Sequence, residues 1–597
     1  MLNTRCLSRA TLRAPHAPQS CRNIASRAPR PQVRAATHPY AQRRQQHFVR
    51  SVAAVTALWA TASALQWCNN GDSIIREAHA EEPDKDEVEL QFETPRRQAT
   101  SSDDNRNIIS SQHLQVVKSW ENPGVYAWGS NAGKTVAPDS DEKYIKTPRR
   151  IPWFDGKLLR DIKLDRNFGA AIDDKGDLLQ WGVAFSEEVK QPTKTLRGQN
   201  LKSLAISRDR IIALNSSGQV LSIPVSQAEQ REGPKPASKS YIPFWGSAND
   251  VSYRNRTPEN LGWTEKVTAI SSGLEHALML TSAGRVFSFA SGSQDYPSKG
   301  QLGIPGLRWE TRPPGAFDIP HEITTLQGFS ITKIATGDYH SIVCDTAGRA
   351  FTFGDNTAGQ LGFPFNVEAP FVDAPSLLPT QRFYTSAQGK VTNVFAGGNT
   401  SFLATESTKP DTGRITADTW SFGFGLTGQL GVGRWVHTQP DPTKIPAFSG
   451  LFEWDEKNHT AIPIRLHTIS VGASHAAAVL DNVASVAVSG KSRKLTENDT
   501  NWGRDILFWG NNEYYQIGSG KRSNLATPAY IQPLDQAAED ERAANVAAGS
   551  VAKQLREKEM HRFQITPRNR VKVGGRTVDM EQKVECGRGC TAVYSAV

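Results

Sequence analysis

From residue 122 to the end, apolar residues alternate with polar ones in short runs that stop at glycine. One recurring run is a strand rich in aromatic residues: Val125-Tyr-Ala-Trp-Gly129, Leu178-Leu-Gln-Trp-Gly182, Val220-Leu-Ser-Ile-Pro224, Val286-Phe-Ser-Phe-Ala290, Ala350-Phe-Thr-Phe-Gly354, Thr419-Trp-Ser-Phe-Gly423 and Ile506-Leu-Phe-Trp-Gly510. A second element, an apolar strand turning at glycine into another strand, usually precedes it. Its copies start at Ile162, Leu204, Ile270, Ile334, Val394, Ile469 and Val584. Period-two alternation predicts β-strands. Trp128, Trp181 and Trp509 should fill the wedges between neighbouring sheets, and Gly129, Gly182, Gly354, Gly423 and Gly510 supply positive φ or close backbone approach at the strand ends.

The two series are offset. The last copy of the second element lies at the C-terminus with nothing after it, and the first aromatic strand lies at residue 125 with nothing before it. Joined, the two ends make one ordinary repeat, which predicts a closed ring without exposed sheet edges. The expected fold is therefore all-β: a seven-bladed β-propeller of about 68 residues per blade over 122–597, closed by pairing of the N- and C-terminal strands.

Gly337-Asp-Tyr-His-Ser341, Phe351-Thr-Phe-Gly-Asp-Asn-Thr-Ala-Gly-Gln-Leu-Gly362 and Gly423-Phe-Gly-Leu-Thr-Gly-Gln-Leu-Gly431 resemble repeats of the regulator of chromosome condensation family. Gly-Gln-Leu-Gly occurs three times, at Gly300, Gly359 and Gly428. Together with the N-terminal leader, the repeats resemble the fungal mitochondrial members linked to respiratory-complex assembly. That resemblance implies a non-enzymatic scaffold assisting assembly or stability of an inner-membrane respiratory complex, with ubiquinol–cytochrome c reductase as the client. Other members imply two alternatives: a guanine-nucleotide exchange factor for a mitochondrial GTPase, or a mitoribosome assembly factor.

Charge changes the picture only at the N-terminus. The formal net charge is +9, but residues 1–71 hold ten arginines, no lysine and no acid. Removing these ten charges leaves the remainder near −1. A body so close to neutral has no global field for nucleic acid, and no direct nucleic-acid contact is expected. The Arg-rich, acid-free start has the composition of a mitochondrial targeting presequence over 1–50. Residues 51–71 carry no charge and are long enough for a single transmembrane helix into the inner membrane. Their Ala, Ser and Thr content also suits a continuation of the presequence or a linker. Residues 72–121 read as a polar linker. The side of the membrane is left open.

Candidate chemistry is sparse. His276, His340 and His475 share one repeat position in three different copies, where other copies carry Thr400 or Cys590; this predicts structural turn histidines with local hydrogen bonds rather than a metal site. Gly423-Phe-Gly-Leu-Thr-Gly428 matches a dinucleotide fingerprint, but no helix can follow it. Gly129-Ser-Asn-Ala-Gly-Lys-Thr135 is one residue short of a phosphate loop and reads as a repeat turn. Cys586 and Cys590 flank Gly-Arg-Gly at the closing hairpin, either as small buried hydrophobes or as a redox pair. No catalytic residue, metal or cofactor is expected.

Three insertions are the candidate partner-binding loops. Residues 227–262 interleave Lys235, Lys239, Arg254 and Arg256 with Tyr241, Phe244, Trp245 and Tyr253. Residues 481–505 are polar. Residues 535–563 place Ala544, Ala548, Val551 and Leu555 at helical spacing, as a helix that either packs on the propeller or docks a partner.

Overall fold

The computed structural model describes residues 111–235, 251–384, 388–455, 459–482, 485–486, 500–501, 503–534 and 562–597. Residues 1–97 and 98–597 are separate units, and the described residues all belong to the second. It opens with one helix, Ser111–Glu121, and continues almost wholly as strands.

Four antiparallel sheets of four strands follow one another along the chain, over 201–255, 267–322, 331–377 and 388–444. We call these the second to fifth sheets. The sixth has five strands, from Leu466–Val471 to Leu525–Ala529, with Gln564–Ile565 alongside Arg504–Gly510. Within each, sequential strands lie side by side, and the first of them faces a central channel. Two-stranded ribbons at 452–463 and 485–501 lie outside this set.

The remaining strands correct the expected count of seven separate blades. Among the described residues five discrete sheets of four or five strands are present, while strands from both ends of these residues run together into one nine-stranded sheet. Val125–Ser130 pairs with Cys590–Ala596, in a register that sets Val125 against Tyr594 and Gly129 against Cys590. A single parallel bridge, Leu159 to Ala596, then joins this group to the meander that begins at Leu159–Leu164. Sequence alternation specifies which face of a strand is buried, but it carries no signal for one added backbone bridge between neighbouring sheets.

The transmembrane helix expected over 51–71 falls on residues that the structure does not describe. Among the described residues no helix is long and apolar enough to cross a membrane.

Aromatic side chains pack the joined sheet internally and hold it and its neighbours together. Trp128, fully buried, meets Phe508 of the sixth sheet edge-on at 5.7 Å. Trp181 meets Phe154 at 5.4 Å, and Trp509 contacts Phe402 at 5.9 Å and Phe448 at 5.4 Å. Each buried aromatic ring removes enough surface to contribute on the order of 2–3 kcal/mol, with edge-to-face geometry adding to it.

Candidate functional site

The third strand of most sheets ends in a glycine folded against the preceding turn. Gly354 has φ +111°, and a Cβ there would lie 2.5 Å from the Tyr339 carbonyl oxygen. Gly129, Gly182, Gly423 and Gly510 repeat that geometry, with φ between +100° and +112°. The chain then enters a loop on the upper face, the end of the ring that also carries the turns between first and second strands.

The histidines sit at the sheet junctions. Their bonds are not local, as the sequence suggested, but run to the next sheet. His276 Nε2 lies 2.8 Å from Ser341 Oγ, His340 Nε2 lies 2.8 Å from Ser401 Oγ, and His475 Nε2 lies 2.7 Å from Thr591 Oγ1. Each hydroxyl in turn donates back to the loop of the histidine's own sheet, at the carbonyls of Gln301, Gln360 and Gln516. The hydroxyl proton is therefore used, and the imidazole must donate from Nε2. Nδ1 is left bare and buried in all three. Burial lowers the imidazoles to about 3, 4 and 3 for His276, His340 and His475, so each is neutral at physiological pH. Trp128 and Trp509 donate their N–H groups to the corresponding turn of the preceding sheet, at Gln516 O (2.9 Å) and Gln429 O (2.8 Å), and Trp181 donates to the same turn position within the joined sheet, at Thr135 O (2.8 Å).

The channel itself holds a cavity of about 220 Å³. Its upper mouth is crossed by Arg588, from the closing hairpin, which reaches Asp165 at 3.4 Å and Asp338 at 3.1 Å. Deeper in, Lys163 pairs with Glu585 at 2.8 Å. Burial raises the Glu585 carboxyl to about 6, more than the facing ammonium lowers it. Burial also opposes the Lys163 charge, but the Glu585 and Asp161 carboxylates outweigh it and hold that ammonium above the ordinary lysine range. These are structural ties, since every charge faces an opposite one.

Cys586 and Cys590 are free thiols on the closing strands, and Cys344 is a third. All are buried, and burial pushes the Cys344 thiol up to about 12 and the other two upward as well. Thiols so disfavoured as thiolates are poor nucleophiles. Among the described residues no three His, Cys, Asp or Glu side chains gather to hold a metal. Gly423 to Gly428 passes from strand into turn, with no helix after it. Lys134 turns back onto Asp141 and the Ser140 carbonyl rather than facing an anion site.

The insertions are only partly described. Arg254 and Arg256 both bind Asp318, at 3.1 and 3.2 Å, and Tyr253 packs on the second sheet's core. They are thus committed within the fold. Lys239, Tyr241, Phe244 and Trp245 lie outside the described residues, as does most of 481–505. So does 535–561; beyond it Phe563 is buried against Trp128 at 6.5 Å.

The upper-face loops carry what the sequence reading missed. Trp309, Phe365, Val367, Leu426 and Trp435 are all exposed there, Val367 at 82%. They follow the third strands of the third, fourth and fifth sheets, and two of these loops bond to the outer strand of the next sheet: the Gly306 N–H donates to Asp373 at 3.1 Å, and Gly433 N–H to Ala526 O at 2.8 Å. Apolar residues inside otherwise polar loops were the available signal.

A model described as the Regulator of chromosome condensation (RCC1) repeat matches residues 331–360, the first three strands of the fourth sheet and its loop to Gln360. The chain is 28% identical over 447 residues to Protein FMP25, mitochondrial, of Saccharomyces cerevisiae, covering 70% of this chain and 67% of that one. It is 24% identical to RCC1 domain-containing protein RUG3, mitochondrial, of Arabidopsis thaliana, over 59% of this chain and 71% of that one. It is 26% identical to the secretion-regulating guanine nucleotide exchange factor of Mus musculus, over 69% and 79%. The chain thus carries the regulator of chromosome condensation repeat and resembles that family, its mitochondrial members included.

Proposed function

We propose that this chain is a mitochondrial, non-enzymatic propeller that binds other proteins through its upper-face loops and assists assembly or stability of an inner-membrane respiratory complex, with ubiquinol–cytochrome c reductase as the client. The exposed Trp309, Phe365, Val367, Leu426 and Trp435 carry the protein-binding part of this reading. Apolar side chains repeated on successive loops of a rigid ring mark an interaction surface. The Arg-rich leader and the mitochondrial relatives support the compartment.

Proteins recovered with the tagged chain from gently solubilised mitochondria, quantified by mass spectrometry, test the client. Subunits of ubiquinol–cytochrome c reductase or its precursors should dominate, and deleting the gene should reduce the assembled complex. Recovery of ribosomal proteins instead would overturn the reading.

The relative named a guanine nucleotide exchange factor favours a second reading, exchange on a mitochondrial GTPase. Catalytic amounts of the chain would then speed loss of labelled GDP from that GTPase. An unchanged rate removes that GTPase as a substrate.

A further inference from the structure

The turn after the third strand has a fixed register in the ring. In the third, fourth and fifth sheets it passes through Gly300, Gly359 and Gly428, at φ +74°, +74° and +86°. The amides of Gly359 and Gly428 bond back to the carbonyl three residues earlier, Asn356 and Gly425, each at 3.0 Å. The following glutamine then caps the turn with its side-chain oxygen, as Gln360 does for Ala358 N–H at 2.8 Å. Tyr515 takes the glycine's place in the sixth sheet: its amide bonds to Asn512 O at 3.1 Å, and Gln516 caps Tyr514 N–H at 2.8 Å. Lys134 takes it in the joined sheet, bonding to Asn131 O at 3.0 Å. Both keep the left-handed backbone, at φ +63° and +56°.

A bulky side chain in that conformation is strained, and such strain collects where a site needs a particular group. Here it sits on two consecutive copies, on either side of the seam between the sixth and the joined sheets. At Gly359 a Cβ would come 2.8 Å from Pro440 Cα, so a side chain is excluded. At the seam, Tyr515 instead meets side chains. Its ring lies 5.9 Å from Tyr144, which stacks on Tyr514 at 6.3 Å and 24°.

Three cations surround this platform. Arg166 lies 4.7 Å from the Tyr514 ring, Lys146 lies 5.8 Å from Tyr515, and Arg522 lies 5.9 Å from Tyr144. Among the described residues none of the three is in an ion pair, in contrast to Arg588 and Lys163 in the channel. Arg522 Nε donates only to the Glu513 carbonyl, and Arg166 Nε is buried without a partner.

We infer that this seam is the contact site for a carboxylate-bearing segment of a protein partner, which pairs with Lys146, Arg166 and Arg522 over the Tyr144, Tyr514 and Tyr515 platform. The inference rests on the protein-binding reading above and is independent of which client is bound. Tyrosine with arginine is the composition of interface anchors. The ring faces are taken up by one another and by the cations, so they offer no free platform for bases, which disfavours single-stranded RNA. The cations Lys146, Arg166 and Arg522 around the rings favour a carboxylate.

The test is fluorescence anisotropy on the full chain with a labelled deca-glutamate peptide at low salt, with a ten-nucleotide RNA in parallel. The peptide should bind, and Lys146→Ala with Arg522→Ala should weaken it about tenfold. Lys202→Ala, at the opposite mouth of the channel, should leave it unchanged. Tyr515→Gly restores the ordinary turn residue, so it should weaken peptide binding while raising the thermal midpoint by about 1–3 °C through relief of strain. Absent binding, binding indifferent to the seam variants, or tighter binding of RNA overturns the inference. A lower midpoint for Tyr515→Gly would make that residue a packing element and overturn its part in the site. None of these outcomes touches the client assignment, which the mass-spectrometric recovery tests separately.

Discussion

At the residue scale, the three junction histidines give the ring a pH dependence whose sign follows from their burial. Each is neutral when folded, at about 3 to 4, and takes up a proton near 6.5 when unfolded. Between those values the unfolded chain binds more protons, so stability is present above pH 6.5 and is lost as the pH falls toward 4. Each histidine contributes about 1.4 kcal/mol per pH unit in that window. Glu585 acts oppositely from about 6 down to its ordinary value, because the folded state holds its proton more tightly. Burial raises Asp165 and Glu275 in the same sense as Glu585, while His321 and His467 are lowered like the junction histidines, so the histidines leave a net loss. Urea midpoints measured from pH 7 to 4 should fall steeply, and His475→Gln should flatten the slope by about a third of the junction histidines' contribution. A flat profile would mean that the imidazoles are charged within the fold. The sequence placed all three at one repeat position but gave no sight of their partners. Ser341, Ser401 and Thr591 are 61 to 116 residues away, and no local pattern encodes a bond across a sheet junction.

At the element scale, the Gly-Gln-Leu-Gly turn does two jobs that could be partly read in advance. The first glycine provides left-handed backbone, and the glutamine closes the turn with its side chain while its carbonyl receives groups from the next sheet. The second glycine makes room for an aromatic ring: at Gly518 a Cβ would fall 2.6 Å from Trp128 Nε1. Gly359→Ala combines φ +74° with a Cβ 2.8 Å from Pro440 Cα, and should destabilise by about 2 kcal/mol or more. Thermal unfolding with an unchanged midpoint would show that the neighbouring outer strand yields easily. Strand positions, their buried faces and the glycine turns were legible because each depends on a few adjacent residues. The merging of sheets was not, since it depends on one backbone bridge between Leu159 and Ala596. The tyrosine at 515 was visible as a departure from the repeat, in Asn512-Glu-Tyr-Tyr-Gln-Ile-Gly518 against Asn356-Thr-Ala-Gly-Gln-Leu-Gly362. Its meaning needed the backbone φ and the cations around it.

For the molecule as a whole, closure is the dominant organisational fact. Pairing Val125 with Tyr594 closes a loop of about 470 residues, for which chain entropy alone costs about 5 kcal/mol, against about 1 kcal/mol for a four-residue hairpin. The same ring can be cut elsewhere at no change in its contacts. A permuted chain that joins Val597 to Ser111 through about ten glycine and serine residues makes the terminal pairing more local. It can open in the exposed turn 409–414, between the strands Thr400–Thr408 and Ile415–Gly425. Because the closure cost moves rather than disappears, the thermal midpoint should stay within a few degrees. The least protected junction should move with it. Native-state hydrogen exchange should be fastest at Val125–Ser130 and Cys590–Ala596 in the original chain, and at the fifth sheet's new ends in the permuted one. If the protection minimum stays at the original junction, the weakness there is due to its packing rather than to the length of the loop it closes. If the permuted chain fails to fold, the order in which the sheets form must itself be required to complete the ring.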